Sequence, residues 1–182
     1  MIFLAAGHYP ERPGAGFEGF FEHDEAVKWV RAIDDELGDM CTPVPDGTLR
    51  AKTDFINKRC KLNDVAIEIH FNSFVKDGVH VGDGCVTLYC PGSAAGMQLA
   101  ASLQGALGAV FVPSRGIVAG WYRGDKAKGP YFFLERTRCP AAIIEPEFVH
   151  HGPLIQANRA AACAKLAAAL REFKVSIEEI AT

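Results

Sequence analysis

The sequence predicts a single α/β domain, a mixed and mostly parallel sheet with helices on both faces. Three observations carry this. Apolar runs of strand length alternate with segments of helical period along the whole chain. The first run and the front of the central one are apolar throughout, as strands covered on both faces are. No internal repeat, low-complexity tract or linker interrupts 182 residues that are 49% hydrophobic, enough for one core.

The elements follow in order. Met1 to Ala6 reads as a short buried strand, and a Gly/Pro-rich loop from Gly7 to Gly19 leads into a helix with Ala26, Val30, Ile33 and Leu37 at helical spacing. Gly38 supplies its stop signal. Cys41 to Val44 is a second strand candidate, and Thr48 is a plausible N-cap for a helix reaching about Lys61. DVAIEIHFN has the pattern of a central strand, GCVTLYC is the next strand, and SAAGMQLAASLQGALG is a small-residue helix able to pack closely on a sheet. IVAGWY and YFFLER are two further strand candidates, separated by the polar loop RGDKAKG. The run AAIIE ends on Glu145, and Leu154 to Phe173 is the last strong helix, with Leu166, Leu170 and Phe173 on one stripe.

Composition excludes several classes of function. A net charge of −3 and the absence of a Lys/Arg cluster offer no footprint for nucleic acid. No stretch has the ~18 apolar residues of a membrane span, and the N-terminus lacks the charged and apolar regions of a signal peptide. Synthesis in the cytoplasm without a signal peptide is the expectation. The six cysteines contain no CxxC pair and several lie in apolar runs, so they read as reduced, buried thiols.

Three apolar strands terminate on ionisable groups: His8 after the first, His70 at the end of the central one, and Glu145 at the end of a late one. Ligands of open α/β sheets collect outside the carboxyl ends of the strands, which would gather groups so distant in sequence. Glu22 opens the first helix directly after the loop that His8 begins. Two imidazoles and a carboxylate are a common zinc set in hydrolases, with a fourth position open to water, and Glu145 would then be the base. Each residue also has a plainer reading: a turn for His8, complement to the helix dipole for Glu22, a core histidine for His70, a paired carboxylate for Glu145. Their co-occurrence favours the site. His23 is expected to face solvent, His80 to lie in a polar loop, and His150 and His151 to serve a turn.

The stretch from Gly7 to Ala26, with GH at its head, GAG in the middle and FEHDEA at its end, resembles the first zinc motif of the zinc-dependent N-acetylmuramoyl-L-alanine amidases of the amidase_3 type. The resemblance continues through TLRAKTDFINKRCKLNDVAIEIHFN, SRG and FLERTRCPAAIIEPEF, over nearly the whole chain. It implies a mixed, phosphorylase/hydrolase-like sheet sandwiched by helices, one zinc ion held by His8, Glu22 and His70, and Glu145 as the catalytic carboxylate. It implies hydrolysis of the amide between the lactyl group of N-acetylmuramic acid and L-alanine in peptidoglycan. Residues 1–182 would form one catalytic domain, a monomer, of a phage or prophage endolysin that acts in the periplasm or cell wall after release across the membrane, with a separated catalytic domain of a larger autolysin as the alternative context.

The chain departs from the family pattern at Tyr9 and Pro10, at Arg12, at Glu68 in place of a serine, and at Glu147 in place of a glycine. Glu68 shares a strand face with His70 and is expected to orient it. Arg115 heads an RG pair that resembles a family element near the substrate groove, and Arg123, Lys126 and Lys128 in the next loop are candidates to meet stem-peptide carboxylates. The alternatives are a zinc hydrolase of the same fold acting on a small acyl-amino acid or peptide, and a non-catalytic wall-binding relative.

Overall fold

The three strands that end on ionisable groups lie side by side. In the computed structural model, which describes residues 1–180, β1 (Ile2–Ala6) leads into a loop carrying the two-residue strands β2 (Gly16–Phe17) and β3 (Phe20–Phe21), then α1 (Glu22–Leu37), β4 (Cys41–Pro43), α2 (Leu49–Asn57) and β5 (Val65–Ile69). A small hairpin of β6 (Val75–Lys76) and β7 (Val79–His80) follows, then β8 (Cys85–Tyr89), α3 (Ala94–Gly108), β9 (Ser114–Ala119), α4 (Phe132–Arg136), β10 (Ala141–Glu145) and α5 (Gly152–Ile180). The main sheet has six strands in the order β4-β1-β5-β10-β8-β9. Every neighbouring pair is parallel except β10 with β8.

Register decides what this order does. Ile69 is the Cα partner of both Ala6 and Ile144, so β1, β5 and β10 stop level with one another at the same edge. His8, His70 and Glu145 therefore leave the sheet as neighbours.

Two apolar layers hold the sheet. One face packs Trp29, Val30 and Ile33 of α1, Leu99 and Leu103 of α3 and Leu166 and Leu170 of α5 onto Ile2, Leu4, Val65 and Ile67. The other packs Ile56 of α2 and Phe133 and Leu134 of α4 onto Phe3, Ala5, Ala66 and Ile143. Each such large side chain contributes about 1.5–3 kcal/mol by leaving water. The buried carboxylate of Glu25 ties α1 to α5 by accepting from Arg159 (2.6 Å), and it also accepts from the Trp29 indole one turn along α1 (3.3 Å). All six cysteines are free. Among the described residues, no helix is long and apolar enough to cross a membrane.

Several expectations shift. YFFLER is not a strand, because Phe132–Arg136 form α4. Adjacent Phe133 and Leu134 are both buried while Phe132, Glu135 and Arg136 are exposed, which one face of a helical turn can satisfy and strand alternation cannot. The strand expected at IVAGWY begins earlier, at Ser114, and ends at Ala119. Thr48 does cap α2, accepting from the Ala51 amide at 3.3 Å, but the helix stops at Asn57 rather than near Lys61. The last helix starts at Gly152 and extends past Phe173.

Candidate active site

The loop after β1 is folded back by the start of α1. That helix has no side-chain cap at its N-terminus; the Ala15 carbonyl accepts from the Glu22 amide (2.9 Å) and the Pro13 carbonyl from the His23 amide (3.0 Å). These bonds satisfy helix donors that would otherwise be unpaired, and they set Glu22 beside His8. His8 itself has φ of 58°, in the left-handed region, and its Nε2 lies 3.1 Å from Glu22 Oε2.

Glu22 is the hub of the cluster. Only 4% exposed, it accepts the Ala15 amide on Oε2 (3.0 Å) and the Phe71 amide on Oε1 (3.0 Å), and Oε1 also faces His70 Nδ1 at 2.8 Å. The His8 and His70 rings meet edge to face with centroids 5.0 Å apart. Burial acts to raise the Glu22 pKa, but the hydrogen bonds and charges of His70 and His8 outweigh it and hold the carboxyl far below the usual range. For His70, burial acts downward, while the charge of Glu68 and hydrogen bonds to Glu22 and Glu68 raise the pKa to about 10.

His70 thus has a carboxylate at each ring nitrogen, since Glu68 Oε2 lies 3.2 Å from Nε2. In the free protein this is the setting of an imidazolium. One ligand atom from each of His8, Glu22 and His70 lies within 4.8 Å of the others. Two imidazoles and a carboxylate this close fit a divalent ion such as zinc, which would replace one ring proton of His70. Two glycines keep the cradle open. A Cβ on Gly14 (φ +81°) would come within 2.5 Å of the His8 ring and 2.6 Å of Glu22 Oε2, and one on Gly7 would come within 2.7 Å of the His70 ring.

Glu145 stands at the end of β10, beside this cluster. Asn72 Nδ2 donates to its Oε2 at 2.6 Å, and Arg115 lies 3.8 Å from the same oxygen with its guanidinium 4.8 Å above the Phe148 ring. Burial raises the Glu145 pKa, with Glu22 adding to the rise and His70 and Arg115 opposing it. A carboxylate tuned upward and held by one oxygen leaves the other free for proton transfer. From His8, His70 and Glu145 an open pocket of about 300 Å³ runs to an apolar wall that includes Leu49, Tyr131 and Phe132.

The structure therefore brings His8, Glu22, His70, Glu68, Glu145 and Arg115 together. His23 corrects the sequence reading: it is 3% exposed, with Nδ1 2.8 Å from the Gly7 carbonyl, because the first turn of α1 packs under the loop. Two functional candidates escaped the sequence. Asn72 follows His70 at strand spacing, a signal that was available; its backbone pairs with Glu147 and Val149 and so aims its side chain at Glu145. Lys52 looks like a surface lysine of an amphipathic helix, and only the packing of α2 buries it. Burial pulls its pKa down, against the charges of Glu68 and Asp46.

The family model described as Amidase_3, N-acetylmuramoyl-L-alanine amidase, matches residues 2–153. A search of curated protein sequences finds no match. Among solved structures, an N-acetylmuramoyl-L-alanine amidase from Clostridium difficile 630 superposes with a TM-score of 0.79 at 17% identity, covering 94% of this chain and 95% of that one. The CwlD amidase from Clostridioides difficile, solved with the GerS lipoprotein, gives 0.79 at 15% identity, covering 97% and 98%. The catalytic domain of the CD27L endolysin, which targets Clostridia difficile, gives 0.72 at 19% identity, covering 94% and 96%. At these identities the likeness is one of fold.

Proposed function

This chain belongs to the Amidase_3 family of N-acetylmuramoyl-L-alanine amidases, and on that premise we propose that it is a zinc-dependent peptidoglycan amidase with Glu145 as its proton-transfer residue. The observation that carries the reading is the convergence of His8, Glu22 and His70 within 4.8 Å at the edge where Glu145 also leaves the sheet. When bound, zinc supplies a Lewis acid that polarises the scissile carbonyl and makes water acidic enough to act as a nucleophile near neutral pH.

The chain's own groups do the rest. Glu22 and His70 lend an anionic and a neutral donor, and Glu68 fixes the ring of His70 through Nε2. Asn72 pins Glu145 Oε2, so Oε1 is the atom that takes a proton from the attacking water. Glu145 then passes that proton to the alanine nitrogen as the C–N bond breaks, because an unprotonated amide nitrogen is a poor leaving group. The products are the free lactyl carboxylate and a stem peptide with a free alanine amine. Residues 1–182 act in this reading as one monomeric catalytic domain, and Arg115 steadies Glu145 and the adjoining substrate. We infer a lytic, endolysin-like setting, with action on the wall after release across the membrane; the fold shared with an endolysin catalytic domain is compatible with it.

The test is mass spectrometry of digested sacculi with the zinc-loaded protein and its Glu145→Gln variant. Wild type is expected to release stem peptides bearing a free alanine amine, and the variant to keep its zinc and release them about 10²–10⁴-fold more slowly. Intact muramyl-peptide links after wild-type digestion, or equal release by the variant, would overturn the assignment.

A further inference from the structure

One buried amine touches the supports of both imidazoles. Lys52, in the first turn of α2, is 1% exposed, and its Nζ donates to the carbonyls of Ala6 and His8. The same Nζ lies 3.8 Å from Glu68 Oε1. Glu68 is itself 1% exposed; its Oε2 faces His70 Nε2, and its Oε1 has no hydrogen-bond partner.

Both contacts answer a physical need. A non-glycine residue in the left-handed region persists only where its surroundings over-determine it. For His8 (φ 58°) those surroundings are the hydrogen bond that the Gly7 amide donates to the Ile69 carbonyl (2.7 Å), the Tyr9–Arg12 backbone pair, and Lys52 reaching across from another element. A carboxylate buried with one oxygen unpartnered is costly unless a cation stands near it, and Lys52 is the cation at Glu68. Removing the amine would free the His8 carbonyl and leave Glu68 to turn away from His70.

We propose that Lys52 is a positioning residue for the metal-binding imidazoles, holding His8 through its carbonyl and His70 through Glu68. The inference rests on His8, Glu22 and His70 being the ligands. It makes α2, a helix that contributes no ligand, part of the metal site.

The experiment measures zinc affinity by competition with a chromophoric chelator, and thermal unfolding of the zinc-free protein, for the full chain. The variants are Lys52→Met, Lys52→Arg, Glu68→Gln and the Lys52→Met/Glu68→Gln double, with His8→Ala as control. Lys52→Met is expected to weaken zinc about 10–100-fold, the usual cost of losing a partner that orients a ligand, and Lys52→Arg to restore most of it. The double variant is expected to regain melting temperature relative to Lys52→Met, because the uncompensated buried carboxylate is gone, without regaining zinc affinity. A purely structural lysine would lower the melting temperature and leave affinity within twofold of wild type, and that result overturns the proposal. Should Lys52→Met fail to fold, Glu68→Gln carries the test: a fivefold or greater loss of affinity supports the linkage, and a smaller one overturns it. Retention of zinc by His8→Ala would instead show that the ligand assignment itself is wrong.

Discussion

Replacing Glu22 with Gln alters one atom and one charge at the hub of the cluster. The carboxylate serves four donors, with the Phe71 amide and His70 Nδ1 at Oε1 and the Ala15 amide and His8 Nε2 at Oε2. A glutamine has one acceptor oxygen. If that oxygen keeps Phe71 and His70, its NH2 group is driven against the Ala15 amide, a partly buried donor left unpaired at about 1–3 kcal/mol. The bond to His70 also loses its charge assistance, roughly half its strength. Together these come to about 2–4 kcal/mol, and at about 2–4 °C per kcal/mol for a chain of this size the zinc-free variant should melt about 4–16 °C below wild type. The pH dependence has a definite sign. Glu22 has a depressed pKa, so its stabilisation is full above the unfolded carboxylate pKa of about 4.3 and is lost as pH falls toward its native value; the gap between variant and wild type should close in acid. His70 has a raised pKa, so its contribution to the zinc-free protein is full below about 6.5 and fades as pH rises through about 10. Zinc affinity should fall by more than the ~10–100-fold that loss of an orienting partner costs. Thermal scans in chelator and zinc competition check both readings. A zinc-free melting point within 1 °C of wild type, with zinc affinity preserved within tenfold, would refute the role assigned to Glu22.

Glu145→Gln should reduce turnover by about 10²–10⁴, the range for general acid–base groups, with zinc content unchanged by metal analysis. Because burial raises the Glu145 pKa in the zinc-free protein, an NMR titration of the Glu145 carboxyl in chelator should have its midpoint above the ordinary ~4.3 of a glutamate; a midpoint at or below that value would contradict the environment described for it. Gly14→Ala should abolish zinc binding and destabilise by about 1–3 kcal/mol, since its Cβ would press on His8 and Glu22. Gly19→Ala is the matched control: its φ of +83° imposes similar backbone strain with open space around the new Cβ, so it should cost stability and keep zinc, as calorimetry and metal competition would report.

How far the site is legible in the sequence differs from residue to residue. His8, His70 and Glu145 are readable because each ends an apolar strand, and parallel α/β sheets expose those ends together. Glu22 is readable as the first residue of a helix after a Gly/Pro loop. Lys52 is not, because burial of a helical lysine depends on which neighbours close over it. His23 is misleading for the same reason: the helical period says where a side chain points, not whether a loop covers it. YFFLER misleads because aromatic residues favour strands in isolation, whereas the packing of Phe133 and Leu134 against the second apolar layer selects a helical turn.

Local chemistry, written residue by residue in the chain, determined the alternation of strands and helices, the Thr48 cap, the stop at Gly38 and the identity of the groups waiting at the strand ends. Tertiary structure alone decided that β1, β5 and β10 stop in register, that β8 runs against β10, and that Asn72 and Lys52 reach Glu145 and Glu68. The division follows from range. Propensity and periodicity act over a few residues, while hydrogen bonds spanning 73 positions, such as Asn72 to Glu145, exist only after the sheet has chosen its strand order.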